Sequence, residues 1–321
     1  MSRTESDARK RRRRGLGWWL VGGLLGLLAA LIFGRRRPAR ERPAPPPPAP
    51  AELPAGATLS WVPGAGGGLR LCEVHPEGGL TLVFVHGLGG RLEHWGAQLA
   101  ALGPGLRGVA FDLPGHGGSD PAASGDYGVG ALAGALGAVA DALALRRFVL
   151  VAHSLGALVA LRYAAAHAGR VSGLLLVDPS GDATHLPEEE RRALLESVRR
   201  DPRGEIGWQF RQLLADDRPE VAERVLADLE ATPEEALYGS LAASMGHSPV
   251  PDLARLVVPI RSLTTAHNRS PHGLHRLVPE LPVSPIGGTG HWPMLDDPDA
   301  VNRVLDGFLD EVRAHRAAQP A

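Results

Sequence analysis

The chain has 321 residues, 34 Lys and Arg against 35 Asp and Glu, and 44% hydrophobic residues. Its one cysteine, Cys72, excludes an internal disulfide and a cysteine-based metal cluster. Residues 1–42 hold 12 basic against 3 acidic residues and the remainder 22 against 32, an acidic body that argues against a nucleic-acid ligand.

Lys10 to Arg14 precede twenty uncharged positions, residues 15–34, and Arg35 to Arg37 follow them. Twenty helical residues rise about 30 Å, the thickness of bilayer hydrocarbon, and Trp18 and Trp19 fall where interfacial aromatics belong. The apolar run is long for a cleaved signal core, and no small-x-small site separates it from the arginines. The pattern therefore predicts a basic tail (1–14), a single transmembrane anchor (15–34) and an Arg/Pro-rich linker (35–57). Seven basic residues before the span against five after it favour a cytoplasmic amino terminus and a catalytic body on the extracytoplasmic side. Pro38 to Pro54 holds eight prolines, which fits an extended polyproline II spacer.

Beyond the linker, Thr58 to Val62 and Leu69 to His75 read as strands joined through a Gly-rich turn. Leu80 to Val85 is a buried strand ending in His86-Gly87-Leu88-Gly89-Gly90, and residues 107–112 form another that runs into Asp112-Leu113-Pro114-Gly115-His116-Gly117-Gly118-Ser119. Between them Leu92 to Leu102 reads as an amphipathic helix, and Val129 to Leu145 is a helix of small apolar residues. Phe148 to His153 is an apolar strand that stops at Ser154 and gives way to a helix from Leu158. Ala152 and Gly156, two positions to either side of Ser154, are small, as a sharp strand-to-helix turn requires. Val171 to Val177 is the next buried strand, ending at Asp178-Pro179-Ser180-Gly181.

Residues 187–246 lose the strand signal. Four short helices are expected there, broken at Pro202, Pro219 and Pro233, with Trp208, Phe210, Leu213, Leu237 and Met245 as candidates for an apolar inner face. Pro259 to Thr265 and Val283 to Gly287 read as the last two strands. Gly287-Gly288-Thr289-Gly290-His291-Trp292-Pro293 follows, and Pro298 to Arg313 closes the chain as a helix. Strands alternating with helices predict a mostly parallel, doubly wound sheet with its site at the strands' carboxyl ends.

Taken together, the glycine loop at His86, the turn at Asp112, the elbow at Ser154 and the late glycine loop at His291 resemble the α/β-hydrolase superfamily over roughly residues 58–313. The likeness is strongest to its serine-nucleophile, capped, cofactor-independent branch. It implies a mostly parallel eight-stranded sheet with a helical cap (about 182–250) inserted after the sixth strand, and a tail over 314–321. By the same resemblance Ser154 is the nucleophile, His291 its base, and the amides of Leu88 and Leu155 the oxyanion hole. His86 would order its own loop. His267, His272 and His275 lie one element too early to be the base.

The acid is left open. The position after the seventh strand, where the family usually carries an aspartate, holds Asn268, which has no charge to stabilise an imidazolium. Asp178, at the end of the sixth strand, is the favoured candidate, since some members of the superfamily take their acid there and its neighbouring strands let it reach His291; Asn268 is the alternative position. The resemblance thus implies hydrolysis of a small or medium ester, thioester or lactone, with no cofactor and no metal. A catalytically decayed scaffold, a perhydrolase and a carbon–carbon hydrolase stand beside that reading, because fold alone does not set chemistry. The implied partners are a small ester-like substrate and the membrane. Oligomeric state is not legible.

Overall fold

The computed structural model describes residues 53–266, 268 and 270–318. The expected basic tail and transmembrane anchor, most of the expected linker, His267, Arg269 and the last three residues lie outside that set. Among the described residues no helix is long and apolar enough to cross a membrane.

Eight strands form one sheet in the order β1-β2-β4-β3-β5-β6-β7-β8. They are β1 (Thr58–Gly64), β2 (Gly67–Val74), β3 (Leu80–Val85), β4 (Leu106–Phe111), β5 (Phe148–His153), β6 (Val171–Val177), β7 (Ile260–Thr264) and β8 (Val283–Pro285). β2 runs antiparallel to both β1 and β4, and every other pairing is parallel. β5 sits between β3 and β6 and is buried at all six positions. Its unbroken apolar run is what a parallel strand covered on both faces requires.

The helices longer than one turn are α1 (Gly96–Ala101), α2 (Val129–Ala142), α3 (Leu155–Ala166), α4 (Glu188–Arg200), α5 (Pro202–Leu213), α6 (Pro219–Ala231), α7 (Glu234–Gly246) and α8 (Pro298–Ala317). α2 packs on α3, while α8 lies against α1 and β6. Gly173 in β6 lets α8 approach, since a Cβ there would stand 2.7 Å from Val312 and 3.0 Å from Phe308.

α4 to α7 form the insertion between β6 and β7. The prolines act as the sequence suggests: Pro202 and Pro219 take first-turn positions, where no amide hydrogen is needed, and Pro233 sits just ahead of α7. Asp201 accepts from the Gly204 amide to cap α5.

Several boundaries differ from expectation, four of them for a visible reason or by the largest margin. Leu92 to Leu102 divides into a 3-10 turn (Leu92–Trp95) and α1, because the Asp112 carboxylate takes the Leu92 amide at 2.6 Å and fixes the entry. α2 stops at Ala142 because Ala144 turns left-handed (φ 51°). β8 is only three residues long and ends in a proline, as suits an edge strand. α8 continues to Ala317, four residues past its expected end.

The sharpest local demand falls at the end of β5. Ser154 has φ 51° and ψ −117°, outside the regions open to most side chains. A Cβ on Gly156 would meet the carbonyl oxygens of His86 at 2.5 Å and Val85 at 2.6 Å, so only glycine allows α3 to start that close to β3.

Candidate active site

Three side chains meet above the carboxyl ends of β5, β6 and β8. Ser154 caps α3 at the tip of β5, and its Oγ lies 3.0 Å from Nε2 of His291. Nδ1 of the same ring lies 2.6 Å from Oδ2 of Asp178. The three are 5%, 5% and 1% exposed, so water competes little for these bonds.

Asp178 owes its orientation to the backbone. It too is left-handed, with φ 40°, and its amide bonds to Leu263 O at 2.8 Å. The turn brings the carboxylate over the end of β7, where Thr265 donates its amide to Oδ1 at 3.0 Å and its hydroxyl to Oδ2 at 3.2 Å. With the His291 ring, that gives a buried carboxylate three donors. Asn268 stands elsewhere: its amide donates to the carbonyl of Pro179 at 3.2 Å, bracing the turn beside Asp178. His272 stacks near His185, with ring centres 5.7 Å apart.

Opposite the serine, the loop after β3 presents the Leu88 amide, and α3 presents that of Leu155, its first residue. Neither has a hydrogen-bond partner among the described residues, and an amide in the first turn of a helix has none within it. Gly89 is left-handed (φ 63°), and its Cβ would strike Leu229 of α6 at 2.9 Å. His86 holds this loop: Nδ1–H donates to Gly87 O at 2.8 Å while Nε2 accepts the Leu113 amide at 3.0 Å. Those two bonds require the neutral ring, and burial, helped by nearby His116, drives the His86 pKa well below its ordinary value.

A further histidine, not singled out by the sequence, supports the base. His153 donates from Nε2 to the carbonyl of His291 at 2.8 Å, with ring centres 4.7 Å apart. Burial first, then the neighbouring His291 charge, pushes its pKa far down, so it stays a neutral prop. Trp292 meets His291 edge-on at 5.0 Å and Phe210 of α5 at 5.0 Å, which ties the cap to the histidine loop.

These groups wall a cavity of about 10 Å³, room for about one water. Of the five residues expected on the cap's inner face, only Phe210 lines the cavity. Trp208 is 36% exposed, Leu213 and Leu237 are buried in the hydrophobic core, and Met245 lines a separate groove of about 360 Å³ between α4 and α7. The cap instead contributes Ser240 and Ser244 of α7. Ser180, after β6, brings a hydroxyl to 3.3 Å from Ser154 Oγ.

Ions tie the cap to the oxyanion loop. Asp228 of α6 meets Arg91 at 3.3 Å and His94 at 2.9 Å, and Arg224 donates to the Glu93 carbonyl at 2.6 Å. Glu93 also pairs with Arg70 and Arg91. Burial would raise its carboxyl, but the bond and charge of Arg91, then Arg70, hold it below the usual range. Among the described residues no group of three or more His, Cys, Asp or Glu is arranged to hold a metal ion.

A family model described as the alpha/beta hydrolase family matches residues 82–304. Among curated proteins, the dihydrolipoyllysine-residue acetyltransferase component of the acetoin cleaving system of Pseudomonas putida is 30% identical over 251 residues, 75% of this chain. This chain spans 66% of that relative's length, just under two thirds. Among solved structures, a thermophilic esterase from Thermogutta terrifontis superposes with a TM-score of 0.66 at 24% identity, covering 79% of this chain and 99% of that one. A bacterial membrane phospholipase A superposes with a TM-score of 0.64 at 26% identity, covering 81% and 87%.

The loop bearing His291 is also held from the cap side. Asp217, between α5 and α6, accepts the Gly290 amide at 3.0 Å, and its other oxygen is buried without a partner among the described residues. Burial, then the charge of Asp296, pushes this carboxyl from 3.8 up to about 6. A carboxyl raised on folding binds its proton more tightly in the native state, so its contribution is full below the unfolded value and lost as pH rises through about 6. Asp217→Asn keeps the acceptor for Gly290 and removes the charge. Its melting temperature should therefore gain on wild type between about pH 4 and pH 7. Thermal unfolding at both pH values checks this, and an identical offset at each would contradict it. Asp112, raised to about 6 mainly by burial, titrates alike in both proteins and cancels.

Proposed function

This chain belongs to the alpha/beta hydrolase family, and on that footing we propose that it is a membrane-anchored serine hydrolase that cleaves a small or medium carboxylic ester, thioester or lactone through an acyl-enzyme on Ser154. The observation that carries the reading is the unbroken line of hydrogen bonds from Asp178 through His291 to Ser154.

A serine hydroxyl is a weak nucleophile until a base removes its proton. As Ser154 Oγ bonds to the substrate carbonyl carbon, Nε2 of His291 takes that proton, and the carbonyl electron pair moves onto oxygen. The amides of Leu88 and Leu155 receive the resulting oxyanion. The imidazolium is stabilised by Asp178, which also fixes the proton of the neutral ring on Nδ1. Collapse of the tetrahedral species expels the alcohol or thiol, which takes its proton from Nε2. Water, deprotonated by His291, then cleaves the acyl-enzyme and frees the acid.

The scaffold alternative rests on Asn268 alone, and a charged carboxylate bonded to the ring removes its motive. Nothing specific favours peracid or carbon–carbon chemistry over hydrolysis. Support for the anchor comes from the uncharged run 15–34 between basic clusters.

With a p-nitrophenyl ester, Ser154→Ala should abolish turnover. Asp178→Asn should lower kcat by about 10⁴, as loss of the charge behind the histidine does in serine proteases. Asn268→Asp should not raise activity, because its carboxylate would face the Pro179 carbonyl. Near-wild-type turnover in Asp178→Asn, or a gain in Asn268→Asp, would contradict the assignment of the acid. In cells, the full chain should stay in the membrane pellet through alkaline carbonate washing and a chain lacking residues 1–34 should not; equal partition of both would remove the anchor.

A further inference from the structure

The cap side of the cavity carries a hydroxyl that the hydrolytic mechanism does not use. Ser240 and Ser244 of α7, one helical turn apart, line the cavity that Ser154 also lines. Ser244 is already satisfied, donating to Leu241 O at 2.8 Å. Ser180 is likewise engaged, with the nucleophile. Ser240 is fully buried, and among the described residues its Oγ has no partner.

A serine inside a helix ordinarily bonds back to the carbonyl one turn earlier, or else faces water. Ser240 does neither. A buried hydroxyl left unmade destabilises the fold unless something fills it, and the free direction here is the cavity shared with Ser154. Ser240 and Ser154 line the same small cavity, so an acyl group held at Ser154 passes close to Ser240. The other cap side chain there, Phe210, is apolar and offers no competing bond.

Resting on the reading of Ser154 as nucleophile, we infer that Ser240 is a specificity-determining residue that hydrogen-bonds a heteroatom close to the scissile carbonyl. The substrate class is accordingly a short acyl group with an oxygen or nitrogen near the carbonyl, such as an alkoxy, hydroxy or oxo acid, rather than a plain alkanoate. A site that hydrogen-bonds such an atom discriminates against the analogue lacking it, because the site's own polar group is then left unpaired.

The test uses the p-nitrophenyl esters of methoxyacetate and butyrate, which have equal length and differ by an ether oxygen in place of a methylene. The ether speeds both wild type and variants chemically, so the informative quantity is the ratio of kcat/KM values, methoxyacetyl over butyryl, compared between proteins. Ser240→Ala should lower that ratio by about five- to tenfold, the effect of one hydrogen bond. Ser240→Thr, which keeps the hydroxyl, should retain more of the ratio than Ala does. Should Ser240→Ala fail to fold, Ser240→Cys, similar in size and a poor donor, should lower the ratio in its place. A ratio unchanged in Ala and Cys overturns the inference.

Ser154→Ala in the same assay separates the two readings. If it is inert while the ratio ignores position 240, the nucleophile stands and the polar pocket falls. If it still hydrolyses either ester at the wild-type rate, the nucleophile falls and the inference with it.

Discussion

The bond between the Asp178 carboxylate and Nδ1 of His291 sets the geometry of everything around it. It exists because β6 ends in a left-handed aspartate whose side chain swings over β7, where both polar groups of Thr265 hold it. With one ring nitrogen tied down, the other points at the tip of β5, where Ser154, itself at positive φ, presents its hydroxyl. Non-glycine residues in such conformations cost about 1–3 kcal/mol each and persist when their surroundings over-determine them. Here the surroundings are the hydrogen bonds of the two strand ends and the close seat of Gly156 against β3.

Around this line the protein places histidines that stay neutral. His86 orders the oxyanion loop from a tautomer that its two bonds dictate, and His153 props the backbone of His291 from beneath. Burial lowers the pKa of both, and brings that of His116 down to about 4. Desolvation thus leaves these three rings as neutral scaffolding. The cap joins through different forces on different sides. Phe210 meets Trp292 by ring contact, Asp217 accepts from the histidine loop, and Asp228 bonds to Arg91 and His94 beside the oxyanion amides.

Much of the fold was legible because its signals are local. The apolar runs of β3, β5 and β6 each end at a polar residue, the small residues around Ser154 mark a tight turn, and the prolines at 202, 219 and 233 divide the cap. The acid was not legible. Asp178 and Asn268 follow adjacent strands, so chain position alone does not choose between them. What separates them is the backbone turn at Asp178 and the donors of Thr265, neither of which leaves a mark in residue type. The lining of the cavity was missed for a related reason. Apolar residues drew the reading toward Leu237 and Met245, whereas α7 is buried on more than one side and turns its serines inward. A short polar residue in a helix reads as a solvent face unless its neighbours are known.

The most direct measurement is a crystal structure of the protein after reaction with a small fluorophosphonate. Phosphorus should be bonded to Ser154 Oγ, with the phosphoryl oxygen about 2.7–3.1 Å from the amides of Leu88 and Leu155. His291 should remain hydrogen-bonded to Asp178. A label on another residue, an unlabelled serine in a folded protein, or a His291 ring turned away from Asp178 to Asn268 would contradict this description of the site.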